Sequence, residues 1–403
     1  MKYTKEEIIQ FSVEEDVKFI RLAFCDVYGK QKNISIMPDE LDRAFDFGIA
    51  IDASAIAGFG GDVHSDLLLH PDPDTLMILP WRPEQGKVVR MFCSISYPDG
   101  RQFESDTRSL LKKAVEDADK AGYKFFFGAE QEFYLFKLDE YGNPTKQPYD
   151  NAGYMDIAPE DKGENIRREI CLTLEQMGIM PESSHHEEGA GQNEIDFRYS
   201  DPLTAADNVI TFQNIVRTVA NRNGLCADFS PKPLADNPGN GFHINLSVKA
   251  NDKTPNLLPF MIAGVLDKVE EMTAFLNPVE KSYERLGNSK APKYISWSSE
   301  NRSQLVRIPA AIGEYRRAEL RSPDPAVNPY IAFTLMIYSG LWGIQNKIDL
   351  PIVADFNLFS ADEETLSKFK VLPQSLEEAK KVAANSEFIK KYIPKSIFDI
   401  YCK

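Results

Sequence analysis

Apolar and polar positions follow two different rhythms along the chain. Val17 to Phe24 alternates, Tyr28-Gly29 offers a turn, and Val88 to Cys93 reads as another strand, so residues 1–100 are expected to form a strand-rich domain. Between these strands, Asp52 to Asp62 is a run of small residues and glycines, suited to a loop lying close against something. Pro98-Asp99-Gly100 signals a turn, and Ser105-Asp106 caps a helix expected to run to Gly122. The domain boundary is drawn there, giving domains 1–100 and 101–403.

Beyond it, helix and strand patterns alternate. Asp161 to Gly178 (Ile166, Ile170, Leu174, Met177) and Ala205 to Gly224 (Val209, Phe212, Val216, Val219) have helical spacing and end at glycines. Three strand candidates carry a polar and an apolar face. Glu130 and Glu132 share one face; His243, Asn245 and Ser247 oppose Phe242, Ile244, Leu246 and Val248; Arg317, Glu319 and Arg321 stand before Ala318 and Leu320. Pro329 to Ile344 is apolar throughout, yet shorter than a membrane span and marked by Tyr330, Tyr338 and Ser339, so it reads as a buried core helix. The tail from Pro373 to Lys403 is helical and amphipathic in places.

The fourth strand candidate follows the densest acidic stretch. Glu182, Glu187 and Glu194 fall within Glu182–Phe197, where Gly189, Ala190 and Gly191 form a turn and Glu194-Ile195-Asp196-Phe197 alternates. Taken alone, this is as easily a solvated hairpin as a site. The polar faces together gather Glu130, Glu132, Glu187, Glu194, Glu319 and His243, rimmed by Arg302, Arg307, Arg317 and Arg321. So many buried carboxylates need compensating charge. Two or three Mg²⁺ or Mn²⁺ ions would supply it, since hard cations take oxygen ligands and tolerate an imidazole. Arginines beside metals equip a site for phosphoryl transfer.

Composition narrows the partners. The 403 residues are 43% hydrophobic and 27% charged, enough for a large core, and the net charge of -15 disfavours nucleic acid and anionic membrane. Five cysteines without a Cys-x-x-Cys pair read as reduced thiols in a cytoplasmic protein. The start, Met-Lys-Tyr-Thr-Lys-Glu-Glu-Ile, lacks a signal peptide's apolar core.

The ordered motifs resemble bacterial type I glutamine synthetase over nearly the whole length. They include 52–59, Gly128-Ala-Glu-Gln-Glu-Phe133, Gly153-Tyr-Met-Asp156, Ser184-His-His-Glu187, Gly191-Gln-Asn-Glu194, Pro231-Lys-Pro-Leu234, Gly239-Asn-Gly-Phe-His243, Asn301-Arg-Ser303, Arg307-Ile-Pro309 and Arg317-Ala-Glu-Leu-Arg321. The resemblance implies an α+β protein: an N-terminal β-grasp domain, then a catalytic domain whose antiparallel strands form a half-barrel flanked by helices. It implies a homo-oligomer, a ring of six with two rings stacked as a dodecamer.

By the same resemblance, glutamate is joined to ammonia or another amine, with ATP as co-substrate. One metal falls to Glu132, Glu187 and Glu194, and a second to Glu130, His243 and Glu319. Arg307, Arg317, Glu182, Asn245 and Ser247 match the ATP side. Arg285 matches the clamp on the glutamate α-carboxylate, Gly239 the approach to its amine, and Arg302 and Arg321 the groups around the transferring phosphoryl. Asp52 from the adjacent subunit, with Tyr154 and Glu187, matches the ammonium pocket.

Departures stand at Ala53 and Ala55, at Pro238, at Glu314 where a nucleotide-side lysine is common, and in the flap after Arg285. The flap is one residue short, and Lys290 replaces its glutamate. The leading expectation is therefore ligation of ammonia to glutamate. The alternatives are a γ-glutamyl ligase for another amine and, further off, a non-catalytic assembly protein.

Overall fold

Alternation at Val17–Cys25 becomes β1, and β2 (Gln31–Ile36), β3 (Ile49–Asp52), β4 (Asp66–Pro71), β5 (Met77–Ile78) and β6 (Lys87–Ser96) complete a sheet ordered β2-β1-β6-β4-β3, with β5 on β6. The structure is a computed structural model and describes residues 3–60, 65–82, 85–250, 256–299, 301–311, 313 and 316–403. Gly61, Asp62 and Glu314, singled out in the sequence, lie outside the described residues. Among the described residues of this sheet only β1 and β6 pair in parallel, and the other pairs are antiparallel. Leu22, Phe24, Leu67, Leu69, Met91 and Ile95 bury one face as a separate small core. Ala23, Val88 and Phe92, on alternate positions, join the larger core of the following domain.

The strand-rich reading of this region overlooked two helices, α1 (Lys5–Glu14) and α2 (Leu41–Phe47). The signal for α1 was present as a capping box, in which Glu7 N–H donates to Thr4 Oγ1 at 3.2 Å and Thr4 N–H to Glu7 Oε2 at 2.7 Å.

The second sheet is built on one long strand, β7 (Tyr123–Leu138). Its partners come from β8 (Pro144–Pro148), β9 (Pro181–His186), β10 (Gln192–Ser200), β11 (Leu225–Asp228), β12 (Phe242–Ala250), β13 (Trp297–Ser298), β14 (Val306–Arg307) and β15 (Ala318–Leu320). The main path runs β13-β14-β15-β12-β7-β10-β9, with β8 and β11 also on β7. Phe125, Phe127, Ala129 and Phe133 of β7, Ile195 of β10 and Ile244 of β12 turn away from the acids and are buried.

Helices cover that apolar back, α3 (Thr107–Lys120), α4 (Glu164–Gln176), α5 (Pro202–Arg222), α6 (Leu258–Leu276) and α8 (Pro329–Gln345), while the short α7 (Glu280–Arg285) brings Arg285 to the polar face. Asp106 caps α3, its Oδ1 accepting from Arg108 and Ser109 N–H at 3.1 and 3.3 Å. Apolar throughout, α8 is buried along almost its whole length against α6. Their backbones nearly touch: a Cβ on Gly343 would stand 2.0 Å from the Phe260 carbonyl oxygen, so only glycine permits this crossing. No helix among the described residues is long and apolar enough to cross a membrane. All five cysteines are free thiols.

Candidate active site

Strand register builds the site. Glu194 pairs across with Glu132 and Asp196 with Glu130 between β10 and β7, while His243 pairs with Glu130 between β12 and β7. Glu319 of β15 pairs with Asn245 on one side and Arg307 on the other. Neighbouring strands set these residues about 5 Å apart on one face, which brings together carboxylates far apart in sequence.

Each acid has a defined local partner. Asn245 Nδ2 donates to Glu130 Oε1 at 2.7 Å, and His243 Nδ1 lies 3.3 Å from Glu130 Oε2 and 3.6 Å from Glu319 Oε1. Gly241 N–H and Gln192 Nε2 donate to Glu132 Oε2 at 2.8 and 3.0 Å. Arg307 Nε donates to Glu319 Oε2 at 2.5 Å and Arg321 Nε to Glu319 Oε1 at 3.1 Å. His185 Nε2 stands 3.2 Å from Glu194 Oε1.

The charges are not balanced within the chain. Burial, then Glu132, pushes the Glu187 carboxyl up to about 7. Burial and Glu130 push Asp196 to about 8, and burial with Asp196, Glu132, Glu130 and Glu187 holds Glu194 well above the carboxylate range. Burial also opposes ionisation of Glu130, but the His243 and Asn245 hydrogen bonds win and hold it down to about 2. Asp196 Oδ1 is buried without a hydrogen-bond partner.

Cations fit this donor set. Glu130, His243 and Glu319 offer ligand atoms within 4.8 Å of one another, as do Glu132, Glu194 and His243, then His185, Glu187 and Glu194, and Glu130, Glu194 and Asp196. Oxygen donors with one or two imidazoles suit Mg²⁺ or Mn²⁺.

Two cavities open on this face. Glu130, Glu132, Tyr154, Glu187, Glu194, Gly239, His243, Arg285, Arg302 and Arg321 line the first, bordered by residues 288–291 of the flap. Glu130, Glu182, Asn245, Ser247 and Arg317 line the second. Glu130 belongs to both, and Asn245 of the second accepts through Oδ1 from Arg317 Nε at 2.9 Å. Arg307 lines neither, and reaches the site through Glu319.

Arg285 is buried, its Nη1 donating to the Ser322 carbonyl at 2.7 Å and Nη2 to that of Arg321 at 3.2 Å. Arg321 Nη1 donates to the Arg302 carbonyl. A Cβ on Gly239 would lie 2.4 Å from the Pro231 carbonyl oxygen, so this approach also demands glycine. The Pro238 carbonyl accepts from Tyr134 Oη at 2.7 Å. Asp52 is the one anticipated residue the chain keeps away: it is exposed on the N-terminal sheet, with Ser54 N–H and Oγ donating to Oδ1 at 2.9 and 2.7 Å.

Sequence reasoning passed over Asp196, His185 and Gln192. The alternation Glu194-Ile195-Asp196 already put Asp196 beside Glu194; His185 of β9 enters by pairing with Glu194 of β10, and Gln192 of β10 by the hydrogen bond it donates to Glu132 of β7.

A small sheet domain followed by a sheet whose acids, imidazole and arginines converge at two adjoining cavities is the build of an ATP-dependent ligase. The glutamine synthetase catalytic domain matches residues 104–403, and the glutamine synthetase beta-Grasp domain matches residues 16–98. The chain belongs to the glutamine synthetase family. Glutamine synthetase of Methanosarcina mazei is 44% identical, covering 99% of this chain and 92% of its own, and that of Clostridium saccharobutylicum is 43% identical, covering 99% and 94%. Among solved structures, a GmaS/ADP complex superposes with TM-score 0.88 at 26% identity, covering 98% of this chain and 94% of that chain.

Proposed function

We propose that the chain is a glutamine synthetase that joins ammonia to the γ-carboxylate of L-glutamate through a γ-glutamyl phosphate, releasing glutamine, ADP and phosphate. The observation that carries this is the pair of cavities meeting at Glu130: one is rich in arginines and acids, and the other is flanked by Phe126 and Tyr199 for a flatter group. A carboxylate does not condense with an amine near neutral pH, so one oxygen must first become a leaving group.

In this reading ATP enters the second cavity, near Glu182, Ser247, Asn245 and Arg317, with Arg307 toward its phosphates. Glutamate enters the first, its α-carboxylate facing Arg285 and its amine near Gly239. Arg302 and Arg321 offset the charge that develops as the γ-carboxylate oxygen attacks the terminal phosphorus. Glu132, Glu187 and Glu194 would hold one divalent ion, and Glu130, His243 and Glu319 another. When bound, these ions draw the two anionic substrates together and polarise the phosphoryl group. Ammonium is received by Glu187, Tyr154 and a neighbour's Asp52, and the acid removes the proton that frees the lone pair. A ring of six, two rings stacked, in the cytoplasm completes the proposal.

The flap keeps a second reading in play, a γ-glutamyl ligase for a larger amine. Lys290 pairs with Glu188 at the cavity edge, and the solved structures of similar fold include the GmaS/ADP complex and an apo GmaS at TM-score 0.87 and 27% identity. The higher identity to proteins named glutamine synthetase favours ammonia. The test is ADP release with ATP, Mg²⁺ and glutamate against ammonium, methylamine and ethanolamine. Ammonium should give the highest kcat/KM; a larger amine preferred by ten-fold or more, roughly 1.4 kcal/mol, would reverse the assignment.

A further inference from the structure

Behind the turn between β9 and β10, which carries Glu187 and leads to Gln192 and Glu194, lies a second group of charged side chains. Asp150, Asp161, Arg167 and His186 are each 6% exposed or less, and none of the four lines either cavity. Asp150, Asp161 and His186 bring ligand atoms within 4.8 Å of one another, yet they are no further cation site: both Asp161 oxygens accept from Arg167, whose guanidinium would repel a cation.

The hydrogen bonds of this group converge instead on Gly191. Its N–H donates to Asp150 Oδ1 at 2.9 Å, and its carbonyl accepts from Asn193 Nδ2 at 3.0 Å and from the Leu135 N–H of β7 at 2.8 Å. Asn193 is itself held, its Oδ1 accepting from Arg167 Nη1 of α4 at 2.6 Å. His186 reaches from Asp150 to the start of the turn, with Nε2 2.9 Å from Asp150 Oδ1 and Nδ1 2.7 Å from the Glu187 carbonyl oxygen. Alternation puts Asn193 on the opposite side of β10 from Gln192 and Glu194, so the strand is gripped from its back while its acid faces the cavity.

Charges buried this deeply are a poor way to add stability, because well-packed apolar side chains of similar volume do as well. What a connected polar network does supply is one fixed backbone geometry. The turn needs it, since the like charges of Glu187 and Glu194 push against each other across it. We propose that Asp150 and Asn193 are positioning residues that hold Glu187 and Glu194 at the spacing one divalent ion requires. The proposal rests on the assignment of Glu132, Glu187 and Glu194 to one ion and of Glu130, His243 and Glu319 to another. That division supplies a control, because the second set stands on β7, β12 and β15, outside the turn.

Calorimetric titration of the full assembled protein with Mn²⁺ alone tests it, and Glu187→Gln marks which binding step belongs to the turn. Asn193→Ala removes two hydrogen bonds without changing any charge. It should weaken that step by about 10- to 100-fold, the usual effect of losing a group that orients a metal ligand, and leave the other step within about two-fold. Asp150→Ala should do the same, and Asp150→Asn, which keeps an oxygen at the Gly191 N–H, should recover most of the loss. Where an alanine variant does not assemble, Asn193→Asp decides: it keeps the Arg167 contact and adds a negative charge, which by itself would tighten a cation, yet it should weaken the step because an acceptor then faces the Gly191 carbonyl. A merely structural role would lower the denaturant midpoint of these variants and leave both binding steps unchanged. That result, or equal weakening of both steps, overturns the proposal. Wild-type titrations that Glu187→Gln leaves unaltered overturn the metal assignment, and the proposal with it.

Discussion

Lys290 and Glu188 form an ion pair that ties the flap to the turn after β9, and the Lys290 ammonium also lies 5.5 Å from the centroid of the Tyr154 ring. The positive charge that would otherwise repel an ammonium ion at this cavity is thereby met by a carboxylate one residue beyond Glu187. Both side chains remain partly exposed, 56% and 33%, so the pair is worth at most about 1 kcal/mol.

That magnitude sets the first prediction. Lys290→Ala should raise the KM for the amine by about two- to five-fold with kcat nearly unchanged, and the difference should shrink as salt is added. Lys290→Glu sets two acids together and should do more harm, and adding Glu188→Lys should restore much of it. Steady-state kinetics of the single and double variants decide; equal KM values throughout would mean the pair does not govern access.

Glu319 carries more. It is 1% exposed and accepts from both Arg307 and Arg321, so Glu319→Ala leaves two guanidinium groups without their counter-charge. Nucleotide turnover should vanish and stability should fall by about 3–5 kcal/mol, read from denaturant midpoints. Glu319→Gln keeps the shape and should recover part of the stability but not the turnover. Near-normal ADP release by the glutamine variant would remove Glu319 from the machinery.

Why was so much of this face readable from the sequence? Strand alternation gives each residue a side, so Glu130 with Glu132, and His243 with Asn245, were fixed to one face before any pairing was known. The apolar backs, Phe242, Ile244 and Leu246, predicted which side packs on helices, and all three are buried. Register across strands is another matter. Nothing local says that Asp196 lies opposite Glu130 or that Gln192 reaches Glu132, because those relations depend on how β10 slides along β7. Likewise Arg285 read as a free clamp, whereas two of its nitrogens meet carbonyls of the segment after β15, a contact between distant parts of the chain.

The raised carboxyls give a pH prediction. Glu187 near 7 and Asp196 near 8 lie above their unfolded values of roughly 4.3 and 3.9, so between those limits the folded metal-free protein binds more protons than the unfolded chain. Its stability should therefore fall as pH rises from about 4 to 8, and saturating Mg²⁺ or Mn²⁺ should flatten that decline. Titration with the metal in buffers of different ionisation enthalpy should show proton release that diminishes from pH 6 to 9, as the acids ionise unaided. Constant release across that range would place these carboxyls outside the metal site.

Asp52 raises the question of where a site ends. Its carboxylate is exposed, forms no ion pair among the described residues, and is held below the usual range by the side-chain and backbone hydrogen bonds of Ser54. It is thus ionised and oriented near neutral pH, yet it lines neither cavity of its own chain. An acid so prepared is suited to completing the cavity of a neighbouring subunit, as a head-to-tail ring permits. Asp52→Ala should lower amide formation by about 10²–10⁴-fold, the range for a lost acid–base group. Mixing Asp52→Ala with Glu319→Gln subunits should then restore activity, because a Glu319-bearing cavity can face an intact Asp52; random equal mixing around a closed ring predicts about a quarter of the wild-type value. Native mass spectrometry establishes that mixed oligomers form. Confirmed hybrids as inactive as their parents would mean that Asp52 serves no neighbouring site.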